Sequence, residues 1–380
     1  MKHFTSKKFV LFFLLIVTLC GGLFSFTKAQ TETSSTLSAA PAPAEEKFFR
    51  GEIMTIVRTG TDAIGDPSQD VRIQFQSGEL KGTEREIQVV STASQKSQTL
   101  EVGDKVILLQ TMAPNGTIQF SVIDLYRLPK LILLVALFFA LIMWVVGVKR
   151  GILSIVGLCW SVLILMFFII PKLAVGSSPL LISTLGAFFI VIFSIVLAHG
   201  FNRRTIVAGI GTIVTLIFSV LLSVMSTKFT RLFGMGSEDA QFLLSSPLGA
   251  IDLSGLLMAG IIIGTLGVLD DVTTSQSAAV EEIHQANKTL SVRELYKRGM
   301  SVGKEHIIAL VNTLVLAYAG AALPVLLLLF IYNQPLWVTL SSEMIGEEIV
   351  RTLAGSMSLI LAVPITTALA AFLAGVKEKK

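Results

Sequence analysis

Two adjacent carboxylates, Asp270 and Asp271, close an apolar run that reads Gly260-Ile-Ile-Ile-Gly264-Thr-Leu-Gly267-Val-Leu-Asp270-Asp271. A carboxylate at a helix C-terminus meets the negative end of the helix dipole. Deep in a bilayer an acidic side chain costs about 2.5–3.5 kcal/mol on insertion scales. Something must offset that cost, and two readings do so. In one, the helix breaks here and Asp271 or Thr273 caps the next helix, since Thr273 and Gln276 have the spacing of a capping box. In the other, the acids form a proton or cation site, and burial lets one of them take up a proton. Neighbours on a helix point about 100° apart, so at most one faces a bundle interior well. Asn312, in the next apolar run, is an amide that needs partners if buried. It is expected to reach the acid pair. Thr273, Thr274 and Gln276 are the supporting polar groups.

Other positions read as packing devices. Gly260 and Gly264 form a small-xxx-small pair that lets a second helix come close. Thr313, Ala317, Gly320 and Pro324 line one side of the following run. Pro324 and Pro364 are expected to interrupt their helices and free carbonyls that line a cavity. Glu347 and Arg351 stand at i,i+4 spacing, as a structural ion pair would.

Enzyme chemistry is not expected. The chain has no P-loop, no HExxH and no serine elbow, so no catalytic residue is assigned. His3, His199, His284 and His306 never pair with one another or with a cysteine at ligand spacing, so neither a metal nor a cofactor is expected. Cys20 and Cys159 both lie in apolar segments, which excludes a disulfide framework.

These residues sit in a chain of 380 residues that is 53% hydrophobic and 15% charged. Soluble domains carry about 25% charged residues. Past position 128 the apolar runs are long enough to cross a bilayer. Spans are expected near 130–148, 151–170, 179–199, 205–225, 253–271, 307–331 and 349–374. Residues 1–29 carry Lys2, Lys7 and Lys8, an apolar core and a small-residue exit at Thr27-Lys28-Ala29. They read either as a cleaved signal peptide or as a retained anchor helix. Residues 30–46 are a Ser/Thr/Ala/Pro linker.

Residues 47–127 alternate short β-forming runs with turn signals. Strands are expected at 48–57, 71–76, 85–90, 105–111 and 117–126, with turns at Val102-Gly103-Asp104 and Asn115-Gly116. Five such strands suit a small barrel-like or OB-like sheet. Basic and aromatic residues do not interleave, and the net charge is only +4, so nucleic acid is not expected as a partner.

The fold class expected is therefore an all-α polytopic membrane domain, 128–376, of about seven spans. A small extracytoplasmic β-barrel-like domain precedes it, and a short tail, 377–380, ends it. Charge sets the orientation. With the β domain outside, the inner loops and tail hold twelve Lys and Arg, and the outer loops hold only Lys172, Lys228 and Arg231. This places the chain in a bacterial plasma membrane with its C-terminus cytoplasmic. Segment 272–306 then forms cytoplasmic helices. The second is capped at Ser291-x-x-Glu294 and bears Arg293 and Lys297 on its polar face. In the outer connection, 226–252, Ser237-Glu-Asp239 caps a short surface helix.

The stretches Gly267-Val-Leu-Asp-Asp-Val-Thr-Thr-Ser-Gln276, Val280-Glu-Glu-Ile283, Val302-Gly-Lys-Glu-His306 and Asn312-Thr-Leu-Val-Leu-Ala-Tyr318 resemble the YibE/F-like family of bacterial membrane proteins. The resemblance covers most of 50–376 and is most specific in 260–325. It implies a topology, not a mechanism. A second similarity concerns order alone. An exported domain, a span ending in acids, a basic helix and a span of small residues follow one another as in SecD/SecF-type membrane domains and the broader RND transporters. That similarity implies proton coupling by an intramembrane acid. Here the acids lie nearer the inner boundary, and an extra pair of spans is present. The function expected is a transport or export component of the cell envelope, proton-coupled at Asp270, Asp271 and Asn312. The alternative is a non-transporting scaffold whose exported β domain binds an envelope partner. The partners expected are the lipid bilayer, an envelope protein or a small substrate, and a further copy of the chain.

Overall fold

The computed structural model describes residues 47–61, 67–90, 100–112, 117–245, 251–331 and 335–376. Segments 1–29, 30–46 and 377–380 lie outside these residues, as does the Asn115-Gly116 turn. The chain divides into two units, residues 1–141 and 142–380.

The first unit is built on an antiparallel sheet. Its strands are β1 (Lys47–Thr61), β2 (Pro67–Phe75), β3 (Glu84–Val90), β4 (Lys105–Met112) and β5 (Ile118–Leu125), in the order β3-β2-β1-β4-β5. All five expected strands form. β1 is long because it serves two partners. Its first part pairs with β4 and its remainder with β2, and register shifts after Ile53 and Ile56 bend it between them. The bend curls the sheet around Phe49, Ile53, Val71, Ile73, Phe75, Ile87, Val106 and Leu108, which alternate with outward residues. Phe75 sits edge-on to Phe49 and Phe120 at 5.8 and 5.2 Å. The guanidinium of Arg85 on β3 lies 5.1 Å over the Phe120 ring on β5, so the two outer strands face each other. The described ladders leave both as edges, giving a curled sheet rather than a closed barrel. The expected turn at Val102-Gly103-Asp104 forms, with Gly103 at φ 92° and its N–H donating to Ile53 O.

Helix α1 (Leu128–Val146) lies across the division between the units and has no buried residue. The second unit begins with α2 (Val148–Ile164), which passes through a π turn (Leu165–Ile169) into α3 (Ile170–Ala174). There follow α4 (Pro179–His199), α5 (Arg203–Thr230), α6 (Glu238–Ser245), α7 (Leu253–Ala286), α8 (Val292–Ala321), α9 (Leu323–Ile331), α10 (Leu336–Ser341) and α11 (Glu343–Val376). Local chemistry starts several of them. Asn202 accepts from the Thr205 N–H, and Asp252 from the Gly255 N–H. Ser291 and Glu294 complete the expected capping box. Ser237 accepts from the Ala240 N–H at the start of α6, also as expected.

Helices α5, α7 and α11 pack on one another, with α4 against α7 and α8 against α7 and α11. Leu216, Ile262, Leu266, Leu269, Val272, Leu359 and Val363 form the common core. Among the described residues, seven helices are long and apolar enough to cross a membrane. They match the expected spans in number and order.

Three expectations need correction. The helix break at Asp270–Thr273 does not form, because α7 runs unbroken through it. Leu269, Val272 and Val280 continue the buried face across the acids, and that packing holds the helix together. Segment 272–306 is accordingly not a separate pair of helices. It extends α7 and α8, which meet at Asn287–Ser291. Pro364 lies inside an unbroken α11, where buried Ala362, Val363, Thr366 and Thr367 carry the helix across it. Pro324, by contrast, stands in the first turn of α9, just past the end of α8.

Candidate functional site

Asp270 is half-buried, in the middle of α7. Its Oδ2 accepts a hydrogen bond from the Ser194 hydroxyl of α4 at 2.9 Å. Asp271 is exposed, as the helical angle between neighbours requires. Asn312 is also exposed, on α8. The structure therefore does not bring the three residues together. The partner of Asp270 comes from α4, not from the helix of Asn312, because α7 turns Asp270 toward α4 and turns Thr273 and Gln276 toward α5, α8 and α11.

The supporting polar residues prove more central than the acids. Thr273 is fully buried, and its Oγ1 lies 2.6 Å from Thr212 Oγ1 on α5. The same hydroxyl donates to its own Asp270 carbonyl at 3.2 Å, so it is an interior helix hydroxyl and not an N-cap. Gln276 is 1% exposed. Its Nε2 donates to Gly299 O of α8 at 2.9 Å and to Thr367 Oγ1 of α11 at 2.7 Å. Thr274 is half-buried, with its Oγ1 enclosed and unpartnered among the described residues.

Of the expected packing glycines, Gly264 meets the Tyr318 hydroxyl, while Gly260 and Gly320 face open space. The close approaches lie elsewhere. A Cβ on Gly299 would stand 2.8 Å from Val280 and 2.9 Å from Thr367, and one on Gly211 would stand 2.6 Å from Thr366 Oγ1. Gly303 is crowded by Val363 and by the Gln276 amide.

Sequence reasoning missed the hydroxyls of α5. Thr205, Thr212, Thr215, Ser219, Ser223 and Thr227 are all buried, and they recur every one or two turns on one face. Of the buried hydroxyls on the neighbouring helices, Thr273 on α7 meets Thr212 and Thr366 on α11 lies against Gly211. The recurrence was present in the sequence. It was hidden by the general habit of serine and threonine to bond their own helix backbone, as Thr215 does to Gly211 O and Ser358 to Ala354 O.

At the far end of α5, the first turns of α11 hold the following loop. Glu343 Oε1 accepts from the Phe233 and Met235 N–H groups at 2.6 and 3.3 Å, and Glu347 Oε1 accepts from Gly236 at 2.7 Å. Glu347 is thus a loop anchor. The ion pair of Arg351 is made with Glu348, at i,i+3 and 2.5 Å, in place of the expected pair with Glu347. Among the described residues, no group of three His, Cys, Asp or Glu side chains is placed to hold a metal ion.

The model of the family described as YibE/F-like protein matches residues 135–376, which takes in every helix of this site. The chain belongs to the YibE/F-like family. The match includes Asp270, Thr273, Gln276 and the α5 hydroxyls, and it bears out the resemblance carried by the 267–276 and 312–318 stretches. No curated protein and no solved structure matches the chain. In this YibE/F-like chain the β unit precedes the matched region almost entirely. Family membership and the seven apolar helices are together consistent with a multi-pass membrane protein.

Proposed function

We propose that the seven helices cross a bacterial plasma membrane, with the β unit outside and the C-terminus cytoplasmic. On this reading the protein is a transport or export component of the envelope, proton-coupled at Asp270. One observation carries the membrane reading: the long helices are apolar on their outward faces, around a core that is itself mainly apolar and holds a minority of polar groups. The buried faces hold hydroxyls and Gln276, while Phe229, Phe330, Leu316 and Ile308 stand exposed. Each such side chain contributes about 1.5–3 kcal/mol when removed from water, so their outward placement favours lipid as the surrounding medium. The loop charges support the orientation.

Transport is supported by Asp270. A carboxylate within an apolar helix, bonded across to a second helix, carries an energetic cost that a scaffold has no need to bear. Such residues mark proton relays in membrane proteins. The test is proton flux into proteoliposomes loaded with a pH-sensitive dye, under an imposed membrane potential. Wild-type protein should conduct. Asp270→Asn should abolish the flux, and Asp271→Asn should leave it intact. Equal flux in Asp270→Asn, or none in the wild type, would put the scaffold reading ahead. That second reading is favoured by the β unit, which has its own core and exposes Phe48, Met112 and Ile118 as a surface for an envelope partner.

A further inference from the structure

The hydroxyl face of α5 has a feature that packing alone does not require. From Thr205 to Thr227 it extends about 33 Å at 1.5 Å per residue. The hydrocarbon core of a bilayer is about 30 Å thick. The face therefore runs the whole depth of the helical unit. Its six hydroxyls fall into two sets. Thr212, Thr215 and Ser223 donate to the carbonyls of Ala208, Gly211 and Val220. Thr205, Ser219 and Thr227 are 4%, 0% and 1% exposed, and their hydroxyl oxygens have no partner among the described residues. The two sets interleave along the helix.

The opposing helix repeats the pattern. Thr366 on α11 is 0% exposed, and its Oγ1 is unpartnered among the described residues. It lies against Gly211, where even a methyl group would come within 2.6 Å of that oxygen. Counting from this approach in opposite directions along the two antiparallel helices sets Ser219 level with Ser358. It sets Thr227 level with Val350, a turn from Glu347. On the α7 side, Thr273 meets Thr212. At the inner end, Ser277 donates to Arg204 O beside Thr205. The seam between α5, α7 and α11 thus carries polar groups at several levels, set among the apolar side chains of Leu216, Leu266 and Leu359.

Buried hydroxyls are almost always hydrogen-bonded, to protein or to ordered water. Four of the seam's hydroxyls are enclosed in an apolar unit and have no partner among the described residues. They require an occupant that can donate and accept. The close approach of α5 to α11 at Gly211 excludes anything as large as a solute side group. Water meets both conditions. Folded proteins hold about one buried water per 27 residues, so several within a unit of this size are ordinary.

We propose that the α5/α7/α11 seam holds a file of bound water molecules, seated on Thr205, Ser219, Thr227 and Thr366, that gives protons a path through the helical unit. It rests on the proposed function: the membrane-spanning reading gives its direction, and Asp270, which faces α4 on another side of α7, seats none of the waters but controls the flux through them. Bonded hydroxyls such as Thr212 and Thr273 lie between the seats and relay hydrogen bonds from one water to the next. The file leads inward to the Arg203–Arg204 end of α5 and outward to the loop held by Glu347.

X-ray radiolytic footprinting of the full-length protein in detergent tests this without any substrate. Hydroxyl radicals formed at bound water modify adjacent side chains, buried or not. Leu216, Leu266 and Leu359 line the seam and are 3%, 4% and 1% exposed. Ile73 and Leu108, both 0% exposed in the sheet core, serve as dry references in the same sample. The three leucines should be modified several-fold faster than the references. Ser219→Ala and Thr366→Val should reduce that labelling and slow proton flux in proteoliposomes. Labelling no faster than the references would overturn the proposal. So would a rise in melting temperature of both variants with flux unchanged, because removing a dry, unpartnered hydroxyl stabilises a protein. A wild type that labels at the leucines but conducts no protons would keep the waters, reject the proton path and count against the transport reading. Loss of flux in Asp270→Asn with leucine labelling intact would separate the two sites.

Discussion

Gln276 donates from its Nε2 to the Thr367 hydroxyl at 2.7 Å, and the same nitrogen donates to Gly299 O at 2.9 Å. One side chain thereby ties α7 to both α8 and α11, at the point where glycines on α8 let the helices touch. Removing it deletes two buried hydrogen bonds, at about 0.5–1.5 kcal/mol each. Gln276→Ala should lower the melting temperature of the detergent-solubilised protein clearly. Gln276→Glu should do so too, because a carboxylate cannot donate to the Gly299 carbonyl. Retained stability in both would show that the tie contributes little.

Gly299→Val tests the same junction from the other side. A Cβ there would meet Val280 at 2.8 Å and Thr367 at 2.9 Å. Overpacking of this kind costs about 1–3 kcal/mol. Gly320→Val, at a site facing open space, should cost little beyond helix propensity. Melts of the two variants side by side should show the first well below the second.

Orientation can be checked at exposed positions of the two long connections. In a variant lacking Cys20 and Cys159, a cysteine at exposed Gln241 should react with an impermeant thiol reagent in intact cells. One at exposed Lys288 should react only after lysis. The reverse pattern would invert the charge argument.

The β unit should fold alone. Nine buried apolar residues, among them Phe75 at 1% exposure, give it a core of its own. Residues 47–127 expressed separately should melt cooperatively with a β-type far-UV spectrum. Phe75→Ala, at about 3–5 kcal/mol, should remove most of the stability of so small a domain.

The fold was legible where one pattern dominated. Long apolar runs located all seven helices, and the alternation at Glu86-Ile-Gln-Val-Val90 located β3. It was misread where tertiary packing overrode local chemistry. Asp270-Asp271 and Pro364 both look like places for a helix to stop, and both lie within helices held by buried neighbours. The site was legible in part. Asp270 and Gln276 stood out by residue type. The partners did not, because Ser194 lies 76 residues from Asp270 and Thr367 lies 91 from Gln276. Which face of a helix an acid takes decides its partner. A sequence stretch that places Asp270 beside Asp271 does not tell which of them turns toward α4.

The pair formed by Asp270 and Ser194 can be weighed by a double-mutant cycle. A hydroxyl donating to an ionised carboxylate contributes about 1.5–3 kcal/mol, against about 0.5–1.5 kcal/mol for a neutral bond. Ser194→Ala, Asp270→Asn and the double variant should be unfolded under the same conditions. An Asn side chain still accepts from Ser194, so Asp270→Asn should change stability by less than about 1 kcal/mol. Asp270→Ala removes the acceptor and should cost more. If the carboxylate is charged in the resting protein, the Ser194→Ala penalty should be larger with Asp270 present than in the Asp270→Asn background. The difference is the coupling energy, and it should be about 1 kcal/mol, the gap between the charge-assisted and the neutral bond. That penalty should also shrink as the pH falls and the carboxyl takes up its proton. Equal penalties in both backgrounds at every pH would show a carboxyl that carries no charge difference for Ser194 to sense. Asp270 would then be a packing residue, and its role as a coupling acid would fail.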